Sequence, residues 1–521
     1  MAPFLLISYY GLFAILSVYG MHRALLLLRL LRRRREAARV ELPAEEARYP
    51  LVTVQLPVFN ERYVATRLLD AVAAFDWPKE RLEIQVLDDS TDETSGILAE
   101  RCRELAAEGF EIRHLRRKNR KGYKAGALAE GLRGGEGEDG RMRAPARGEF
   151  VAIFDADFLP QPDFLKRSLP YLLADEGLGL VQARWEHINR DHSLLTRLQA
   201  VFLDAHFAIE HQARERAGHF LNFNGTAGVW RRSAIEAAGG WSHDTLTEDL
   251  DLSFRVQMEG IRFHYLHDLG VPAELPAEMN GFKNQQHRWA KGSIEVARKL
   301  LLPLWRHPGV PLGAKLEGSM HLLNNLAYLV VAIASFLTLP VALARGSVHP
   351  DLTIWADRYL LGIGLLPVLS YFLIAQLLVG RRLLPSLLLL PAALALGIGL
   401  SINNAKAVLE GLLGHRTGFV RTPKYHIHAA QDSWIGKCYS ARKSLGLWLE
   451  IFLGLEALAA FGVAAWNGCW SMGLFFLFFA TGYLYTGLLS ALPSLAERLR
   501  SKTWTLRAAT RPPVVAKQRV G

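Results

Sequence analysis

The chain is 521 residues long, half of them hydrophobic, with 61 Lys+Arg against 50 Asp+Glu and a formal net charge of +11. This hydrophobic content excludes disorder as the main state. Three separated cysteines (Cys102, Cys438, Cys469) give neither a disulfide framework nor a zinc-ligand spacing. At about 150 residues per domain, the length holds a sizeable catalytic core together with a set of membrane spans.

Apolar residues dominate 3–31, and Arg32–Arg35 follow as an unbroken basic run. A cleaved leader carries its charge before the apolar core. Here the charge comes after, so 1–35 read as an N-terminal transmembrane anchor with its basic end in the cytoplasm. Residues 36–310 are richer in charge and contain the β-rich runs LVTVQLPVF (51–59), LEIQVLDDS (82–90), FVAIFDADF (150–158) and LGLVQARW (178–185). A helical pattern over 61–75 lies between the first two. Such alternation predicts an α/β domain with a mostly parallel sheet, whose ligands gather at the carboxyl ends of the strands. The Gly- and charge-rich stretch 131–148 reads as a mobile loop.

Apolar runs return at 319–343, 358–380, 383–400, 446–466 and 471–493. The third is short, contains Pro385 and Pro391, and precedes a basic loop within 401–445. If 383–400 crosses, that loop and the basic tail over 496–521 lie outside. The positive-inside rule puts both inside and makes 383–400 re-entrant or interfacial. The expected layout is five spans: the anchor, two within 311–400 and a hairpin within 446–495. Cys469 is then outside, with Cys102 and Cys438 inside. Glu450 and Glu456, ionisable within a span, are candidates for a polar path. The basic run and tail suit anionic lipid headgroups better than nucleic acid.

Four constellations carry chemistry. Asp88-Asp89-Ser90 closes a strand; two carboxylates there can accept from a base N–H or a ribose hydroxyl, approach a metal, or simply cap a turn. Asp155 and Asp157, two apart at another strand end, can present oxygens to one hard cation such as Mg²⁺ or Mn²⁺. Thr247-Glu248-Asp249 opens a helix, either as an ordinary cap or as a general base tuned by its neighbours. Gln285-Gln286-His287-Arg288-Trp289 offers an aromatic face for a sugar and a guanidinium for a phosphate, or a membrane-interface pair. His206 and His211, five apart, miss the i,i+4 zinc spacing and read as helix-face residues.

With these four in order, the chain resembles the membrane-embedded, cellulose-synthase-like family 2 glycosyltransferases, nearest the plant mannan/glucomannan and xyloglucan-backbone synthases. The resemblance rests on QLPVFNE, WPKERLEIQVLDDSTD, NRKGYKAGAL, EFVAIFDADFLPQPDFL, LVQARW, FNGTAGVWRRSAIEAAGGW, LTEDLDLSFR and QQHRW, with GFVRTPK (418–424) beyond them. It implies a cytoplasmic nucleotide-sugar-binding α/β domain of GT-A type joined to a transmembrane helical bundle. It implies that Asp249 is the catalytic base, beside Glu248. Asp88, Asp89, Asn60, Glu61, Lys124, Gly126, Gln285 and Arg288 would bind the donor. Trp289, Phe223, Asn224, Gly225 and Thr226 would bind the acceptor, Asp155 and Asp157 a Mg²⁺ or Mn²⁺ ion. Phe419, Thr422 and Lys424 would form a cytoplasmic gating loop. The loop departs from the family's Val-Thr-x-Lys core, because Arg421 is inserted and Pro423 follows Thr422.

The resemblance further implies an inverting hexosyltransferase in a multi-pass bacterial inner or plasma membrane. It would use UDP-glucose or GDP-mannose to extend and export a β-linked glucan or mannan. The alternative is a single transfer to a lipid acceptor. Nucleic acid is not an expected partner, and accessory subunits are left open.

Overall fold

The computed structural model describes residues 2–32, 41–345, 355–415, 417–429, 431–437 and 446–509. Arg33–Arg35, Cys438 and the tail past 509 lie outside these residues. Among the described residues nine strands form in chain order: β1 Val52–Val58, β2 Leu82–Asp88, β3 Glu111–Arg116, β4 Gly135–Glu136, β5 Met142–Arg143, β6 Phe150–Ile153, β7 Leu178–His187, β8 Gly228–Arg231 and β9 Arg262–Ala273. Seven of them make one sheet in the order β3-β2-β1-β6-β8-β7-β9. Within that sheet β8 alone runs antiparallel to its neighbours.

The strands at the middle of this sheet are buried along both faces, which is why they read as near-continuous apolar runs. Their few polar side chains pair across the ladder. Gln55 donates to Gln85 at 2.9 Å, and Thr53 to Glu83 at 2.5 Å. The parallel register aligns Val58 with Asp88 and Gln55 with Ile153. Phe59–Glu61, Asp88–Asp89 and Asp155–Asp157 therefore leave the sheet at one edge. Because β8 runs backwards and aligns Gly228 with Ile153, the segment 222–227 arrives at the same edge.

The stretch read as a mobile loop instead holds the β4–β5 hairpin. Two of its acids pair at the surface: Arg116 donates to Glu138 at 2.6 Å, and Lys118 bridges to Glu136.

A 28-residue helix, Met279–Arg306, connects the sheet to the apolar helices. Four of the described helices are long and apolar enough to cross a membrane: Ala2–Leu30, Asp357–Leu378, Leu447–Trp466 and Trp470–Leu492. Two bent pairs, Leu312–Leu323 with Leu326–Ser335 and Leu383–Gly399 with Ser401–Leu413, bring the number to six if each is one span. The run expected to be one helix over 319–343 is broken at Asn324 and Asn325. Polar partners account for the break: Asn324 accepts from Arg23 at 3.0 Å and Asn325 donates to Ser293 at 2.8 Å. The far end of the second bent pair and the helix before it both touch the α/β half. Just before it, Gln376 bonds Asp204 at 2.9 Å and Arg190 at 3.0 Å; at its far end Arg298 donates to the Gly411 carbonyl at 3.0 Å.

Small residues let these helices touch backbone to backbone, as lipid-embedded packing requires. A Cβ on Gly482 would sit 2.1 Å from the Ala395 carbonyl oxygen. Glu450 and Glu456, expected along a polar path, are structural instead. Lys283 donates to both Glu450 oxygens (2.7 and 2.5 Å) in a fully buried pair, also reaching Ser490. Glu456 accepts from the Leu339 amide and the Thr338 hydroxyl, satisfying donors at the start of the helix Thr338–Ala344.

Removing one member of a buried ion pair strands the other, at a cost of about 3–5 kcal/mol. Lys283→Met is therefore expected to lower the unfolding midpoint in detergent more than Lys283→Met/Glu450→Gln does, as measured by thermal unfolding of both variants.

Candidate active site

The carboxyl edge of the sheet opens into a cavity of ≈ 190 Å³. Seven carboxylates line it: Glu61, Asp89, Asp155, Asp157, Glu248, Asp249 and Glu274. Five cationic side chains face them: Arg120, Lys124, Arg288, Arg421 and Lys424.

β6 delivers the Asp155 pair. Lys124, from the helix Tyr123–Arg133, donates to Asp155 at 2.5 Å and to the Gly225 carbonyl at 2.9 Å. Burial alone lowers Lys124, but Asp155 and Glu248 outweigh it and hold the ammonium above its usual range. Asp157 accepts from Lys424 at 2.7 Å and from the Glu274 amide at 3.2 Å.

Glu248 and Asp249 open the helix Glu248–Met258, where the dipole favours acids. Thr247 does not cap it: its Oγ1 is buried without a hydrogen-bond partner among the described residues and lines the cavity. Asp249 instead accepts from the Leu250 amide at 2.8 Å. Burial, and next the neighbouring Glu248, push the Asp249 carboxyl up to about 7. Burial also raises Glu248.

Gln285, Arg288 and Trp289 come from the helix Met279–Arg306. Their i, i+3, i+4 spacing puts all three on the cavity face. Phe419 lies 4.7 Å from the Arg288 guanidinium and 5.7 Å from the Tyr123 ring.

Several expected residues stand behind the wall rather than in it. Asp88 turns aside to accept from the Ser90 amide at 2.8 Å and to bond His114 at 2.9 Å. Burial pushes that carboxyl up, but the bonds from His114 and Ser90 outweigh it and leave it below its usual range. Asp89 lines the cavity, gripped by Arg117 at 2.9 and 2.5 Å. Asn60, at φ +55, accepts from the Thr91 amide at 2.8 Å and joins two strand-end loops. Gly126 packs against the Lys121 carbonyl, Phe223 packs edge-on against Trp230, and Thr226 accepts from the Asp155 amide. Asn224 and Gly225 do reach the cavity.

Segment 417–429 closes one side. Arg421 forms a two-bond pair with Glu61 at 2.9 and 2.8 Å; even so, burial raises the Glu61 carboxyl to about 7. Thr422 Oγ1 lines the cavity and has no hydrogen-bond partner among the described residues. Glu274 was not singled out from the sequence, yet it holds this segment by accepting from the amides of Tyr425 (2.7 Å) and Ile427 (3.3 Å). The signal was available as the acid directly after β9. Arg120, which stacks 3.3 Å from the Phe59 ring, was likewise passed over.

A second cavity, of ≈ 490 Å³, runs from here among the apolar helices. Trp185, Asn224, Thr247, Asp249, Gln285 and Trp289 line both. His206 and His211 fall in a π-helical turn, where Asn224 bonds both rings at 2.9 Å.

The family described as "Glycosyltransferase like family 2" matches residues 50–292. Those residues are a family 2 glycosyltransferase domain. They carry all but the loop segment of the cavity wall. Glucomannan 4-beta-mannosyltransferase 2 of Arabidopsis thaliana is 46% identical over 50% of this chain and 48% of its own length. Glucomannan 4-beta-mannosyltransferase 7 of the same plant is 39% identical over 72% of this chain and 65% of its own. The chain thus spans about half the length of the curated relatives it matches, from 44% to 65%. Among solved structures, a mannosyltransferase from Pyrobaculum calidifontis in complex with GDP-Man and Mn2+ matches at 21% identity and a TM-score of 0.48. That match covers 80% of this chain and 99% of the other. The glycosyltransferase domain has the GT-A-like α/β architecture, joined to helices of membrane-spanning length and composition.

Gly225 sits at φ +83, and a Cβ there would lie 2.9 Å from Asp249 Oδ2. Gly225→Ala is expected to destabilise the glycosyltransferase domain by about 1–3 kcal/mol through backbone strain and displacement of Asp249. Thermal unfolding measures the effect.

Proposed function

We propose that this chain is an inverting, processive mannosyltransferase that builds a β-linked mannan-type polysaccharide from GDP-mannose and passes it across the membrane. The observation that carries the reading is the wall that the acid-lined cavity shares with a larger one among the apolar helices, with Asp249 and Trp289 lining both. A single transfer to a lipid needs no such passage. Buried polar atoms without partners among the described residues line it, among them Gln199 Oε1, Asn222 Oδ1 and Arg214 Nη1. Sugar hydroxyls satisfy such groups, and apolar lipid chains do not. The names of the relatives favour mannose over glucose.

Asp249 is the base. It takes the proton of the acceptor hydroxyl as that oxygen attacks the anomeric carbon of the donor sugar. Its raised pKa matches this task near neutral pH. Arg288 and Lys124 stabilise the charge that develops on the departing diphosphate, and Trp289 supports the acceptor's terminal sugar. Direct displacement inverts the anomeric centre, so an α-linked donor gives a β-linked product.

Two aspartates at one strand end, in a cavity whose carboxylates outnumber its cations by two, fit a hard divalent ion. Asp155 and Asp157 would hold Mg²⁺ or Mn²⁺, which when bound neutralises diphosphate charge. The donor side faces the cytoplasm, in accord with the basic loop residues Arg421 and Lys424 and with the contacts of 383–413 to the α/β half.

Purified chain incubated with GDP-mannose and Mn²⁺ is expected to yield a polymer that an endo-β-mannanase degrades. A product made only from UDP-glucose, or one no longer than a single added sugar, contradicts the reading. EDTA is expected to stop the reaction and added Mn²⁺ to restore it.

The base assignment predicts a pH profile. Asp249 works only ionised, so the transfer rate is expected to fall about tenfold per pH unit below a pKa near 7 and to level off above it. Asp249→Asn is expected to lose at least about 100-fold in kcat while still binding GDP-mannose, measured by initial rates and by calorimetry.

A further inference from the structure

The segment 417–429 has no regular secondary structure and is held to the active-site cavity chiefly by polar contacts. Its tethers are unequal. Arg421 pairs with Glu61 at the rim, and Lys291 donates to Thr417 Oγ1 at 2.6 Å at the outer end. Lys424 goes deeper. Its ammonium is 2.7 Å from Asp157 Oδ2 and also donates to the Glu274 carbonyl, while Tyr425 and Ile427 beside it donate their amides to the Glu274 side chain.

Asp157 is thus claimed by a monovalent cation carried on a loop. The matching contact at Asp155 differs in kind. Lys124 belongs to a helix of the domain and is fixed a second time by the Gly225 carbonyl, so no loop movement withdraws it. Lys424 can leave by a movement of 417–429 alone. A carboxylate oxygen that serves an ammonium is a poorer ligand for a divalent ion, because like charges then share one small site.

From this geometry we infer that Lys424 competes with the divalent cation for Asp157, so that the docked state of 417–429 and cation loading oppose one another. Glu274 is the positioning residue that holds Lys424 in place. The inference rests on the reading of Asp155 and Asp157 as cation ligands. It makes the loop an autoinhibitory strap: the cation, arriving with or before the donor, frees the strap, and release of the cation lets Lys424 return. Because the docked state withholds a ligand, the apparent affinity for the ion is reduced by the undocked fraction.

The test is Mn²⁺ binding to the full chain in detergent, without nucleotide, by calorimetry and by the electron paramagnetic resonance of bound Mn²⁺. Lys424→Met is expected to bind Mn²⁺ roughly tenfold more tightly than the unaltered chain, as for a docked fraction near nine-tenths. Lys424→Arg, which keeps the charge, is expected to stay near the unaltered value. Equal or weaker binding by Lys424→Met overturns the inference while leaving the ligand assignment standing. No Mn²⁺ binding by any of the three overturns the ligand assignment, and the inference falls with it. A second measurement needs no variant. Mn²⁺ added to the unaltered chain is expected to speed hydrogen exchange at the Tyr425 and Ile427 amides, and unchanged exchange with Mn²⁺ bound overturns the competition.

Discussion

Gathering like charge at one sheet edge is the constraint on which the rest of this molecule depends. Parallel strands deliver carboxylates to a common end, and a buried carboxylate without a partner is costly. The chain meets that cost with cations from four separate places: the helix Tyr123–Arg133, the loop before it, the helix Met279–Arg306 and the segment 417–429. Each brings a different degree of freedom. Lys124 is fixed within the domain, Arg288 belongs to the helix that leads toward the membrane, and Arg421 and Lys424 ride on a loop. The two acids left over, Glu248 and Asp249, are both raised by burial, and Glu248 raises Asp249 further. A poised base is in this sense a by-product of incomplete neutralisation.

The apolar half follows a different rule. Its helices gain little from burying one apolar face against another in lipid, so packing and internal polar bonds do the holding. Gly399 and Gly482 bring backbones together, Tyr483 bonds both Ser335 and Ser401, and Lys283–Glu450 ties the helix Met279–Arg306 to the helix Leu447–Trp466. That last tie has a mechanical meaning. Gln285, Arg288 and Trp289 begin two residues after Lys283 on the same helix, so the cavity wall is anchored directly into the apolar bundle.

The sequence was informative where chemistry coincides with a local pattern. Strand-end acids can be read from β-rich runs that stop in Asp-Asp or Asp-Ala-Asp, and the run 285–289 from its aromatic and guanidinium side by side. It was silent where a role depends on who arrives from elsewhere. Asp88 and Asp89 look equivalent in the chain; β3 separates them, because His114 on that strand takes the first and Arg117, just after it, the second. Thr247 has the composition of a cap, but Gly292 packs against it and its hydroxyl is left to the cavity. Glu450 resembles a path-lining acid until Lys283, 167 positions away, is placed beside it. The break at Asn324 and Asn325 lies inside an apolar run and shows only once Arg23 and Ser293 are found as their partners.

Arg421 shows both effects at a single position. By local pattern it is a disruption of the loop's core, and its effect on Thr422 cannot be judged from composition. In the fold it reaches Glu61, at the end of β1, and so supplies a rim contact that leaves Thr422 Oγ1 facing the cavity unpaired. Pro423 then turns the chain without requiring an amide partner, and Lys424 falls onto Asp157. Two charges of the loop thus rest on two acids that leave different strands of the same sheet. A loop held at two such points docks as a unit, because releasing either charge alone leaves a buried acid unpaired while the other still holds the segment in place.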